Sequence, residues 1–130
     1  MRTQLRLLLV AAMIGVASCD DTLDPDEATY TIEVEGERFH VRVNDAQVAA
    51  RLEDRMRTGT IGVILGRVAT GNDGYNEPWS WHLVPNTIEV PDLAIELCDG
   101  TPSMVEADLN QWIAQVRNYC PWGAKVVSRN

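Results

Sequence analysis

Residues 29–44 read TYTIEVEGERFHVRVN, and no other stretch limits the possible folds of this chain so tightly. Tyr30, Ile32 and Val34 alternate with Thr31, Glu33 and Glu35; after Gly36-Glu37, Phe39, Val41 and Val43 alternate with His40 and Arg42. A period of two puts alternate side chains on opposite faces of a strand, so the stretch predicts a hairpin with one apolar face. That face must be buried against something else. His40 falls on the polar face and reads as an exposed strand histidine.

The cover follows directly. Asn44 or Asp45 can cap a helix, and DAQVAARLEDRMR carries Val48, Ala49, Leu52 and Met56 in one stripe, with Gly59 as the stop. Residues 61–70, IGVILGRVAT, predict a strand on which Arg67 needs a partner if it is buried. After the turn GNDG, WSWHLV predicts another, with Trp79, Trp81 and Leu83 on one face and Ser80 and His82 on the other. TIEVPDLAIELCD predicts a strand interrupted at Pro91, with Leu93, Ile95 and Leu97 alternating with Ala94, Glu96 and Cys98. Ser103 and Glu106 have capping-box spacing ahead of a stripe of Val105, Leu109, Trp112, Ile113 and Val116. Together these predict an α+β fold: a mainly antiparallel sheet of about five strands with two helices packed on it.

The N-terminus predicts export. Arg2 and Arg6 precede the apolar run LLLVAAMIGV, which suits a signal peptide and is too short to span a bilayer. It ends in Val16-Ala17-Ser18-Cys19, similar to a bacterial lipobox. That resemblance implies cleavage after residue 18, lipidation of Cys19 and a membrane anchor; an ordinary secretory signal is the alternative. Residues 1–18 would be the leader, and residues 19–28 the lipidated cysteine with an acidic tether. Residues 29–130 would form a single domain. Treated as a flexible coil, the tether spans on the order of 15–20 Å. Asp20 after the cysteine resembles an inner-membrane retention signal of some enteric bacteria, a rule that differs between lineages.

Charge narrows the partners. The chain carries 11 basic and 19 acidic residues, a formal charge of −8, and losing Arg2 and Arg6 makes it −10. Such a surface repels nucleic acid and anionic headgroups. With Cys19 acylated, Cys98 and Cys120 remain; in an exported chain they most simply form a disulfide. Free thiols or a metal pair are the alternatives, but the close C-x-x-C spacing usual for zinc is missing. The composition calls for no cofactor and no metal.

Chemistry concentrates in NEPWSWHL, residues 76–83, which holds two of the four tryptophans and one of the two histidines. His82 titrates near neutrality and is the candidate base or ligand, although a histidine in a central strand is usually a hydrogen-bonded structural residue. Glu96, flanked by apolar residues, is expected to pair with Arg67, His82 or a backbone donor, since burying it alone would cost several kcal/mol. Glu89, Asp99 and Glu106 complete an acidic set, with Glu106 expected to cap its own helix. Trp81 and Trp112 read as core. Trp79 and Trp122 adjoin prolines and could form a stacking surface. No nucleophile elbow, phosphate-binding glycine loop, H-E-x-x-H or dinucleotide fingerprint is present.

YNEPWSWHLVPNTIE, IELCDGTPSMVE and YCPWG, in this order, resemble a family of small exported domains similar to the N-terminal domain of a slime-mould calmodulin-binding protein. The resemblance covers about residues 39–122. It implies a fold and an extracytoplasmic setting but carries no catalytic residues. Calmodulin binding does not transfer, because the chain lacks a basic amphipathic helix. Three readings remain. The first is a non-catalytic, lipid-anchored binding domain of the cell envelope, with Asn76, Trp79, His82 and Trp122 lining the surface for an unknown extracytoplasmic ligand or protein. The second is a small hydrolase or metal-dependent enzyme using His82 with Glu96 or Asp99. The third holds that these residues only specify the fold. An enzyme requires His82 and a carboxylate within hydrogen-bond reach and open to a cleft.

Overall fold

The computed structural model describes residues 27–130 and Gly15, so most of the expected leader and tether, Cys19 included, lies outside the described residues. Strands β1 (Ala28–Val34) and β2 (Glu37–Val43) form the expected antiparallel hairpin, pairing Tyr30 with Val41 and Ile32 with Phe39. Helix α1 (Ala46–Thr58) starts where Asp45 accepts from the Gln47 and Val48 N–H groups at 2.8 and 3.0 Å, and stops at Gly59, whose φ of 71° suits a residue without a Cβ. Leu52 is buried, with Val48, Ala49 and Met56 packed against the core, and Glu53 accepts a 3.0 Å hydrogen bond from the Tyr30 hydroxyl of β1. The helix therefore covers part of the apolar face of the hairpin, as its stripe requires.

The remaining strands are β3 (Gly66–Thr70), β4 (Trp81–Leu83), β5 (Asn118–Tyr119) and β6 (Lys125–Arg129). The expectation of one sheet of about five strands is corrected: there are two antiparallel three-stranded sheets, ordered β2-β1-β6 and β4-β3-β5. The C-terminal strand β6, which no alternation announced, closes the hairpin's free side by pairing with β1. The strand expected over residues 61–70 is shortened to β3; its first half instead makes single bridges, Gly62 to Ala124 and Leu65 to Glu89. Gly66 is closely packed: a Cβ there would stand 2.7 Å from Ile88 Cδ1 and 3.0 Å from Leu83, so these buried side chains would have to shift.

The strand expected across residues 87–99 is absent. Pro85–Thr87 and Glu96–Cys98 are single 3₁₀ turns, and the stretch between them is extended without a ladder partner beyond the bridge at Glu89. The second helix is broken into α2 (Pro102–Ala107), α3 (Leu109–Gln111) and a π-helical turn over Trp112–Val116. Its stripe nonetheless faces inward, with Val105 and Trp112 buried. Thr101, not Ser103, supplies the cap, accepting from Met104 N with Pro102 in the first turn.

The two sheets meet through aromatic rings. Phe39 of β2 lies 5.6 Å from Trp81 of β4 and 5.5 Å from Tyr119 of β5, and Trp81 and Tyr119 meet edge-on at 5.6 Å. These separations are those of favourable tilted and edge-to-face pairs.

Candidate functional site

The segment NEPWSWHL is a clasp on the edge of a sheet. β1 occupies one side of β2, and the backbone groups on the other side need partners. The Asn76 side chain supplies one: its Oδ1 accepts from His40 N at 2.7 Å while its Nδ2 donates to Trp81 O at 2.8 Å. Trp79 supplies the next, its indole N–H donating to Arg38 O at 2.8 Å. Residues 76–81 thus seal β2 and lock β4 to it. Asn76, expected on a ligand surface, has 0 % exposure and both ends of its amide engaged, so it has no free group to offer. Trp79 is half-buried against Trp81 at 6.2 Å, whereas Trp81 is fully buried.

His82 points to the opposite face, and its expected partners are corrected. Nδ1 lies 2.7 Å from Gly71 O; a carbonyl only accepts, so Nδ1 carries the proton. Nε2 is 3.9 Å from Asp73 Oδ2, and the ring meets Tyr75 edge-on at 6.0 Å. His82 therefore braces the 71–75 loop and forms no bond with Glu96, Asp99 or Arg67; Arg67 itself is exposed. Tyr75 belongs to the same brace, donating to Leu83 O at 2.8 Å beneath the Arg42 guanidinium, and burial pushes its phenol pKa up. Glu106 does not cap its own helix: it accepts from Ser80 N at 2.9 Å and ties α2 to the start of β4.

The other end of the molecule is built differently. Cys98 and Cys120 are disulfide-bonded with Cα atoms 5.0 Å apart, and Cys120 N donates to Cys98 O at 2.7 Å. Asp99 Oδ1 accepts from Gly100 N and Trp122 N, each at 2.9 Å. These bonds hold residues 98–100 against residues 120–122. Just upstream, Leu93, Ile95 and Leu97 are 86 %, 68 % and 69 % exposed. Glu96 between them is exposed too, so the burial that would have forced a partner on it does not arise. Beside this row, a cavity of about 180 Å³ is lined by Gly62, Val63, Asp92, Leu93, Ala94 and Trp122, a residue 39 % exposed.

Of the four side chains expected to form a binding surface, the structure thus brings only Trp122 to this cavity, which Leu93 also lines, while Ile95 and Leu97 are exposed further along the same stretch. Their signal in the sequence was Pro91-Asp92, a strand-breaking pair ahead of an alternating run. Two larger grooves, about 360 and 430 Å³, lie between α1 and residues 89–92. They are crossed by structural bonds: Arg51 donates to Val90 O, and Arg55 to Val63 O and Pro91 O. Among the described residues, no group of three or more His, Cys, Asp or Glu side chains is gathered for a metal ion, and no helix is long and apolar enough to cross a membrane.

The family model for the N-terminal domain of calmodulin-binding protein 74 matches residues 26–130, and the chain belongs to that family. No curated protein and no solved structure matches the chain.

Proposed function

We propose that this member of the family is a lipid-anchored, non-catalytic binding domain of the bacterial cell envelope, which engages a partner through the apolar face around Leu93, Ile95, Leu97 and Trp122. The observation that carries the reading is the exposure of that row. Large aliphatic side chains held out in series by a disulfide-pinned segment mark an interaction surface. The apolar leader, the Val16-Ala17-Ser18-Cys19 sequence and the acidic tether support export and anchoring at Cys19. His82, turned into the 71–75 loop, serves the fold in this reading.

A photo-crosslinking residue at position 95 of the full chain, expressed in bacterial cells, tests the surface. Irradiation is expected to give covalent adducts from position 95 and none from the control at Arg57, which is exposed on α1. An adduct-free position 95 would end the binding reading. In the same cells Cys19→Ala is expected to abolish fatty-acid labelling and release the protein from the membrane fraction; an unlabelled wild type disproves the anchor.

A further inference from the structure

The six large apolar side chains exposed among the described residues are Ile61, Leu93, Ile95, Leu97, Met104 and Trp122. Gly62, next to Ile61, lines the same cavity as Leu93 and Trp122. Trp122 is tied by its N–H to Asp99, and Gly100 beside it faces the Met104 thioether. These contacts bring the neighbourhoods of Ile61, Leu93, Trp122 and Met104 together beside the disulfide-pinned segment.

Its margin is acidic. Asp92 and Glu96 stand within the row, both exposed and in no ion pair among the described residues. Glu37 lies next to Met104, where it accepts from Ser103. Burial first, then the negative charges of Asp99, Glu37 and Glu35, raise the pKa of the Tyr119 phenol, which donates to Gly100 O. Arg55 interacts with Asp92, but its N–H groups and those of Arg51 are directed to the carbonyls of Val63, Val90 and Pro91.

Apolar knobs inside an acidic margin select their occupant by charge. Anionic lipid is repelled by a chain of net charge −8. A second copy related by a twofold axis would set acidic margin against acidic margin. We infer that the exposed row at residues 93–97, with Trp122, binds a basic amphipathic segment of a partner protein, whose apolar side lies on Leu93, Ile95, Leu97 and Trp122 and whose lysines or arginines meet Asp92 and Glu96. The cavity beside Trp122 takes one anchoring side chain. This inference rests on the binding reading above and adds the chemistry of the partner.

The test uses the full chain in nanodiscs of zwitterionic lipid and two fluorescent helical peptides with the same apolar face, one bearing lysines and the other glutamates. Anisotropy is expected to show saturable binding of the lysine peptide only, weakening as salt rises. Combined Leu93→Ser, Ile95→Ser and Leu97→Ser substitutions, which keep the net charge, are expected to lower affinity by more than about 100-fold. Asp92→Asn with Glu96→Gln, which leaves the apolar row intact, is expected to lower it about three- to tenfold. Near-UV circular dichroism confirms that each variant is folded. Equal binding of both peptides, or full affinity in the serine variant, overturns the inference; so does a native dimer that the serine substitutions dissolve. If position 95 still crosslinks in cells while the lysine peptide fails to bind, the partner chemistry is wrong and the binding surface stands. If both fail, the surface itself is refuted.

Discussion

Two stretches of this chain carry the same alternating pattern and meet opposite fates. Trp81 and Leu83 alternate with His82 and are completely buried, while Leu93, Ile95 and Leu97 alternate with Ala94 and Glu96 and stay largely exposed. The difference lies in the neighbours. β4 pairs with β3, Val68 facing Leu83 and Thr70 facing Trp81, and β2 brings Phe39 onto the indole. The 93–97 stretch has no ladder partner and ends in the disulfide-pinned turn at Glu96–Cys98. Alternation gives a segment two distinct faces; only a pairing strand and an opposing layer turn one of them into core.

The contrast can be broken most forcefully at its closed end. Trp81→Ala is expected to cost about 3–5 kcal/mol, the range for an aromatic ring deleted from a core, read from urea unfolding. Trp81→Phe should cost much less, because the Trp81 Nε1 is buried without a hydrogen-bond partner and its removal relieves a desolvated donor. If Trp81→Ala unfolds at the wild-type midpoint, the aromatic junction between the sheets is not what holds them.

The staple comes next. Cys98 and Cys120 are 22 residues apart, and loop-closure entropy gives their bond about 3 kcal/mol. Replacing both with serine is expected to cost that much and to open the 93–97 row to proteolysis before the rest of the domain. Uniform proteolysis in the double variant would show that the row is held by something other than the disulfide.

The smallest effect belongs to the open end. Each of Leu93→Ser, Ile95→Ser and Leu97→Ser is expected to change stability by less than about 0.5 kcal/mol, since an exposed side chain has little burial to lose. A loss of several kcal/mol in any of them would mean that the row is core in solution and that the contrast with Trp81 is false.

Much of this architecture was legible because local rules sufficed. The hairpin followed from its period, α1 from its stripe between Asp45 and Gly59, and the pairing of Cys98 with Cys120 from counting cysteines in a chain expected to be exported. The burial of Trp81 beside a less buried Trp79 followed from the apolar phase of Trp81 and from Pro78 and the glycine-rich loop, which put Trp79 at the mouth of the strand. The division into two sheets was not legible, because β6 is a short C-terminal strand whose pairing with β1 spans nearly the whole described chain.

The candidate site residues divide along the same line. The sequence alone marked Asn76, Trp79 and His82 as chemically conspicuous, but not what they would touch. Tertiary structure aimed the Asn76 amide and the Trp79 indole at the unpaired edge of β2, and the His82 ring at Gly71 O. An unpaired edge is a costly defect, and a side-chain amide or indole is what the chain had at hand to satisfy it. Glu96, Leu93, Ile95 and Leu97 were left at the surface for the converse reason: no strand lies beside them, so nothing repays taking them out of water. Composition and period determined which residues could be inside; the pairing of distant strands decided which of them are.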